Sequence, residues 1–399
     1  MLSSARKRLV IVFVFFFCAV IAAVKFGPVS KGQSVPDGTS GPVITATDQD
    51  SITTDVDGDG RADPGDTVQY TVIISNTGAD ATGMSFIDTL SPNMTIVGGS
   101  LTVTPITIAD TYTATGNVRI TTPDGATDLL ANDINPATGT SSGLTVTTGT
   151  FSSTNCPACG NVVITANDGS FAYNPPAGFE GTDTFTYTVN GFGGATSTGT
   201  ATITVSGMIW FVNSAAAAGG NGTLLLPFNC LVGAGCFNGS ANDPGDNIFL
   251  YTGNYTGGLT LKNTQRIIGQ AATASLISVT GLTLAPNSDA LPATGGVAPT
   301  VTTAIAATSA FTLGTGNTMR GFNIGTVTAF HITGSNFGTL TVADMGMSGN
   351  GGLLNLTNGT LAATFGGLVS GLSPAQGIVL SSVGGSMTAA GTTVSNPTT

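Results

Sequence analysis

Charge is scarce in this sequence. Asp, Glu, Lys and Arg together make up 8% of 399 residues, and Glu180, His331 and Trp210 are each the only residue of their kind. Glu and Lys normally fill the exposed faces of helices, so their near absence argues against long helices. Ten Lys and Arg against 21 Asp and Glu give a net charge of −11. That balance leaves no basic footprint for nucleic acid, and no nucleic-acid partner is expected. A single histidine supplies neither a His-based triad with a second His nor a three-His metal site within one chain. What the chain does contain is Gly 57 together with abundant Thr, Ser, Val and Ile. That mixture favours strands and tight turns, and the length allows roughly two to four domains with their own cores. An all-β protein is expected.

The N-terminus opens with Arg6, Lys7 and Arg8 ahead of the apolar run Leu9–Val24. The run is short for a membrane span and suits the hydrophobic region of a signal peptide over residues 1–24. Cleavage after Ala22 or Ala23 fits the small-residue preference, and a retained N-terminal anchor is the alternative. The membrane is expected as a partner only through this segment. Residues 25–42 are rich in Gly, Pro and Ser without apolar periodicity and read as a linker. An exported chain can oxidise its thiols, and apart from Cys18 four cysteines remain in two close pairs, Cys156 with Cys159 and Cys230 with Cys236. Two local disulfides are expected. The Cys156–Cys159 spacing also suits a redox motif or half of a zinc site. The flanking runs read as strand, however, and the two pairs lie far apart in sequence.

Seven aspartates lie between Asp48 and Asp66, five of them in "DVDGDGRADPGD". Set on the loop pattern D-x-[DN]-x-[DN]-G-x5-E, positions 1, 3, 5, 9 and 12 are Asp55, Asp57, Asp59, Asp63 and Asp66. Arg61 offers its carbonyl at position 7, and Gly60 allows the sharp turn at position 6. Alternate acidic side chains around one centre suit a hard cation with oxygen ligands, and Ca²⁺ is the expected cofactor. Asp–Gly and Pro–Gly are also ordinary turn formers, so a solvated acidic turn is the competing reading. The following "TVQYTVIISN" reads as strand, which excludes a helix-opening EF-hand switch.

Residues 43–105, with "GDTVQYTVIISNTG" followed by "FIDTLSPNMTIVGGSL", resemble an immunoglobulin-like bacterial surface repeat module of unknown function. The resemblance implies a stalk unit and no reaction. Residues 106–206 carry "LLAND" and "DGSFAYNPPAGFEGTDTFTYTV", a pattern similar to that of bacterial cadherin-like repeats. It implies a second β-sandwich and, by carry-over, calcium ligation by Asp110, Asn132 and Asp133. Residues 207–399 become repetitive, and aligning "NTMRGFNIG", "GTLTVADMG", "GTLAATFGG" and "GSMTAAGTT" brings Met319, Leu340, Leu361 and Met387 into register. About twenty residues per repeat, ended by Gly or Asn, suits a right-handed parallel β-helix, and the region resembles the pectate-lyase-like form of that fold. The expected fold class is thus all-β, two β-sandwich domains followed by a β-helix that is incomplete at its C-terminus.

Catalysis needs grouped acids or an acid with a base, and the nearest candidates are Asp243 and Asp246 with Lys262 and Arg266. "NDPGDN" reads more simply as a turn, and His331 as a surface or partly buried strand residue. No enzyme is expected. The sequence points to an exported scaffold or adhesin at the cell surface or outside the cell, with calcium-stiffened modules and a surface ligand that is protein or carbohydrate. The alternative is a carbohydrate-binding or polysaccharide-cleaving β-helix carried on sandwich modules.

Overall fold

The computed structural model describes residues 43–76, 94–97, 100–371 and 377–394, together with the backbone of 7–17. The expected signal cleavage point and the linker lie outside the described residues. Strands dominate, and the helical pieces among the described residues are one short α-helix, Leu276–Thr280, and two 3-10 turns.

In the first unit, Ile44–Thr54 pairs antiparallel with Thr67–Asn76. The latter alternates as a half-buried strand should, with Val68, Val72 and Ile74 inward. Val72, Ile74 and Val103 form a small core with Ile44, Ala46, Tyr70 and Leu101 against it. The other edge of Thr67–Asn76 is occupied by Lys7–Phe17, in register from Lys7↔Asn76 to Phe16↔Thr67. The apolar segment expected as an export signal is therefore a strand of this sheet, and it also pairs with Met94–Ile96 and Thr102–Val103. Its run of Val, Ile and Phe has the propensity for that role.

The second unit is a sandwich. One sheet orders Asp110–Gly116, Thr196–Val212, Gly181–Asn190 and Thr145–Val146; the other orders Ile120–Thr122, Phe171–Tyr173, Val162–Ile164 and Gly149–Phe151. Alternate residues of "DTFTYTV" point inward, so Phe185, Tyr187 and Val189 share a core with Leu129, Val162, Phe171, Tyr173 and Ile203. The Phe171 ring lies 4.9 Å edge-on from Tyr112 and 5.4 Å from Phe185.

The expected boundary at 206/207 falls inside one strand. Thr196–Val212 pairs with Gly181–Asn190 in its first part and, from Ile209, runs parallel to Asn247–Leu250. A register shift between Val205 and Met208 and Gly207 at φ +75° mark the passage. A side chain at Gly207 would meet Leu282 as well as a strained backbone. The join is sealed by polar contacts. Asn117 donates its amide to Ile209 O (3.1 Å) and accepts from Gly178 N–H (2.8 Å), and Arg119 Nε lies 2.9 Å from Asp289 Oδ2.

Beyond Ile209 every ladder is parallel. One runs through Asn247–Leu250, Arg266–Gly269, Thr318–Arg320 and residues 341–343 to 362–363; a second through Asn254–Thr256, Thr300–Thr302, Asn323–Ile324 and residues 346–347; a third through Leu259–Thr260, Phe311–Thr312 and residues 332–333. Inward residues of the three ladders, among them Ile267, Met319, Phe322, Ile332, Leu340, Leu354 and Leu361, fill one core. Asn336 and Asn358 take corner positions with positive φ, and Asn358 donates to Asn336 (2.9 Å). Such an asparagine stack meets the turn's conformational demand in successive layers.

Leu340 pairs with Leu361 as expected, but Met319 pairs with Val342 and Met387 with Ala363. The layers step by 23, 21 and 24 positions from 319 to 342 to 363 to 387. Irregularities such as that between Ser335 and Gly338 absorb the differences. A shift of two residues keeps the same side of the strand inward, so the apolar pattern alone could not detect it. Between Gly269 and Thr318 the coil is interrupted by a segment holding the short helix Leu276–Thr280, N-capped by Ser275 and closed by Gly281. Leu276 and Ala272 cover the outward residues Ile209, Phe211, Phe249 and Ile268, which would otherwise be an exposed apolar strip.

Candidate functional site

The acidic loop sits between two paired strands, and its own backbone shapes it. Asp55 accepts from Gly58 N–H (2.7 Å) and Gly60 N–H (2.9 Å), Asp57 from Asp59 N–H (3.2 Å), and Asp59 from Arg61 N–H (2.8 Å). These bonds require the chain to curl, and Gly60 takes φ +76°. The result brings carboxylate oxygens of Asp55, Asp57 and Asp59 within 4.8 Å of one another. Each bonded oxygen keeps a further lone pair. The Gly60 and Gly58 N–H groups hold the Asp55 carboxyl below its ordinary pKa, so it stays charged.

Asp63 and Asp66 stand outside the converging set. Asp66 is fully buried at the base of the loop, where Oδ1 accepts from Val56 N–H (2.8 Å) and Oδ2 from Asp63 N–H (3.0 Å). It is a clasp that ties the two ends of the loop, and it does not belong to the group of carboxylates that lie within 4.8 Å of one another. Partial desolvation and the charges of Asp57, Asp66, Asp59 and Asp55 raise the Asp63 pKa. Three convergent carboxylates with oxygen-only chemistry fit a hard divalent cation; the two-oxygen contact expected from position 12 is not offered in this conformation.

The acids of "LLAND" are arranged differently. Asp110 is buried, with Oδ1 accepting from Asn132 Nδ2 (3.0 Å) and Oδ2 from the Tyr187 hydroxyl (2.6 Å), which also lies 2.9 Å from Leu129 O. Asp133 Oδ1 accepts from Ile108 N–H (2.7 Å), while its Oδ2 is buried without a partner. Burial pushes Asp110 up to about 7, with Tyr187 opposing the rise and Asp133 adding to it; burial likewise pushes Asp133 up to about 6. Asp110 and Asn132 thus hold protein partners while one Asp133 oxygen has none, and among the described Asp, Glu, His and Cys residues only Asp55, Asp57 and Asp59 converge as a cation-sized set. Spacing could not reveal this network, because Tyr187 lies 77 positions from Asp110.

Cys156 is bonded to Cys159 in the sandwich, and Cys230 to Cys236 in the parallel stack. The acid–base candidates serve structure. Asp246 Oδ2 accepts from Trp210 Nε1 (2.7 Å) and Asp243 N–H (2.7 Å), Lys262 Nζ donates to Asn242 O, and Arg266 donates to Asn247 (3.4 Å). His331 is fully buried, in contrast to its expected exposed or half-buried place; its ring nitrogens face Gly352 O (2.8 Å) and Ser348 O (3.2 Å). The stacked layers enclose it because its neighbour Ile332 alternates with it on a strand whose two sides are both covered here. Burial lowers its pKa.

A family model of the bacterial cadherin-like domain matches residues 102–207. Those limits contain the whole sandwich as far as Gly207. No curated protein and no solved structure gives a match. No helix among the described residues is long and apolar enough to cross a membrane.

Proposed function

We propose that the chain is a non-catalytic, exported bacterial scaffold or adhesin. In this reading an immunoglobulin-like module with a calcium loop and a cadherin-like sandwich carry a right-handed parallel β-helix whose outer face meets a protein or carbohydrate ligand. The observation that carries it is the continuous strand Thr196–Val212, which joins the sandwich to the parallel stack without a flexible link. Such a join transmits load and holds a surface in fixed orientation. Calcium would be held by Asp55, Asp57 and Asp59, stiffening a loop whose ends Asp66 already ties. The ion supplies charge neutralisation to three clustered carboxylates and no chemistry.

The stack's outward residues support binding over cleavage. Thr339, Thr341, Thr360, Ala362, Thr364, Ser386 and Thr388 are small, uncharged and not buried, and they succeed one another in register. Acid–base catalysis needs grouped ionisable side chains, and those beside these columns are engaged with protein partners, Arg320 with Asp344 and Arg266 with Asn247. Incubating the full chain with polygalacturonate and with neutral polysaccharides, while following unsaturated products and reducing ends, tests the point. No turnover is expected, and sustained product release would favour the polysaccharide-cleaving alternative.

A further inference from the structure

Lys7–Phe17 holds an interior place in the sheet of the first unit. One of its edges pairs with Thr67–Asn76 at ten positions, from Lys7↔Asn76 to Phe16↔Thr67, and the other with Met94–Ile96 and Thr102–Val103. Among the described residues those two short strands join the sheet through it alone. Taken out, it leaves Ile44–Thr54 and Thr67–Asn76 as a two-stranded ribbon, which is marginal in water. A row of backbone N–H and C=O groups is then bare on Thr67–Asn76. The same residues carry the basic-then-apolar pattern of an export signal, which processing removes. A strand that completes the folded unit is thus one that a processed chain does not keep.

We propose that the processed first unit is a strand acceptor. The gap between Thr67–Asn76 on one side and Met94–Ile96 with Thr102–Val103 on the other takes an extended segment of about ten residues from a partner protein. The proposal rests on export with removal of the signal. The register defines the donor: it runs antiparallel to Thr67–Asn76, and the positions opposite the buried Val68, Val72 and Ile74 are those of Phe15, Ile11 and Leu9. Residues directly opposite on paired strands share a face of the sheet, so the donor needs apolar side chains at these alternate positions. Thr67–Asn76, Met94–Ile96 and Thr102–Val103 contain no charged residue, so the walls offer nothing to compensate a charge on the donor. Main-chain hydrogen bonds supply affinity, and the alternate apolar positions supply selectivity.

The test uses the chain from Val24 onward, the form left by cleavage after Ala23, in chelator so that the calcium loop is not a variable. The probes are a peptide of residues 7–17 with a solubilising tail and the same peptide with its backbone nitrogens methylated. Fluorescence anisotropy should show saturable binding at about 10 μM or tighter, weakened about a hundredfold or more by methylation, which removes both ladders. Hydrogen exchange should show new protection in Thr67–Asn76, Met94–Ile96 and Thr102–Val103 together when the peptide binds. No binding, equal binding of the two peptides, or protection confined to other segments overturns the proposal. A processed chain already protected in those three segments without peptide has filled the gap with a strand of its own or of a second copy, and overturns it equally. Mass spectrometry of the secreted chain separates the premise: a secreted chain that retains residues 7–17 overturns the proposal and leaves export standing, whereas a chain that is not secreted overturns both.

Discussion

Asp110→Asn should stabilise the protein at alkaline pH and leave it nearly unchanged in acid. Asp110 has an ordinary pKa of 3.8, and burial pushes it up to about 7. The folded state therefore binds a proton more tightly than the unfolded state. That contribution is fully present below pH 3.8 and is lost as pH rises through the folded value near 7. A separation of about 3 pH units corresponds to at most about 4 kcal/mol. Asp133, pushed up to about 6 by its own burial, shares part of that cost with its neighbour, so about 2 to 4 kcal/mol is expected for the single substitution. Asn is compatible with the site: its amide can donate to the Tyr187 hydroxyl, which then donates to Leu129 O. Scanning calorimetry of the full chain in chelator at pH 3.5, 6 and 8 should show curves that nearly coincide at the lowest pH and separate steadily above it. At pH 8 the variant's transition should lie about 10 °C or more higher. A variant equally or less stable at pH 8, or a difference that does not change with pH, would refute the buried-carboxylate argument.

Other perturbations have equally definite outcomes. Reduction of both disulfides should cost about 2 kcal/mol each, because each closes only a short loop; a loss several times larger in urea melts would show that they do more than constrain the unfolded chain. Phe337→Ala should cost about 3 to 5 kcal/mol through the cavity left between layers, read as an earlier transition in the same melts. Asp289→Ala, which breaks a partly exposed pair between the sandwich and the interrupting segment, should cost no more than about 1 kcal/mol. Asp57→Asn with Asp59→Asn should abolish any calcium-dependent rise in melting temperature while leaving the melt in chelator unchanged or slightly raised, since it relieves repulsion.

The β class was readable because it rests on composition and on alternation, as in "DTFTYTV", where every second residue is buried. The sandwich was readable from its turn chemistry, and the bacterial cadherin-like family model matches residues 102–207. The layer register was not, since a slip of two residues moves Met319 from Leu340 to Val342 without changing its side. Nor was the join, because Asn117, Arg119 and Asp289 meet only through the folded chain. In the acidic loop the spacing found the three residues that converge. It could not tell that Asp66 turns inward to bind Val56 and Asp63 N–H groups, because a carboxylate accepts from backbone as readily as it ligates an ion.

In the proposed function, Asp55, Asp57 and Asp59 hold a calcium ion that stiffens the first unit. Calcium titration of the full chain by calorimetry, paired with melting in calcium and in chelator, tests it most directly. A dissociation constant near 10⁻⁴ M, typical of extracellular sites, would stabilise the module by about 2 kcal/mol at about 2 mM free calcium. The account predicts saturable binding that Asp57→Asn with Asp59→Asn removes, and a transition raised by calcium. No heat at about 10 mM calcium and identical melts with ion and chelator would contradict it.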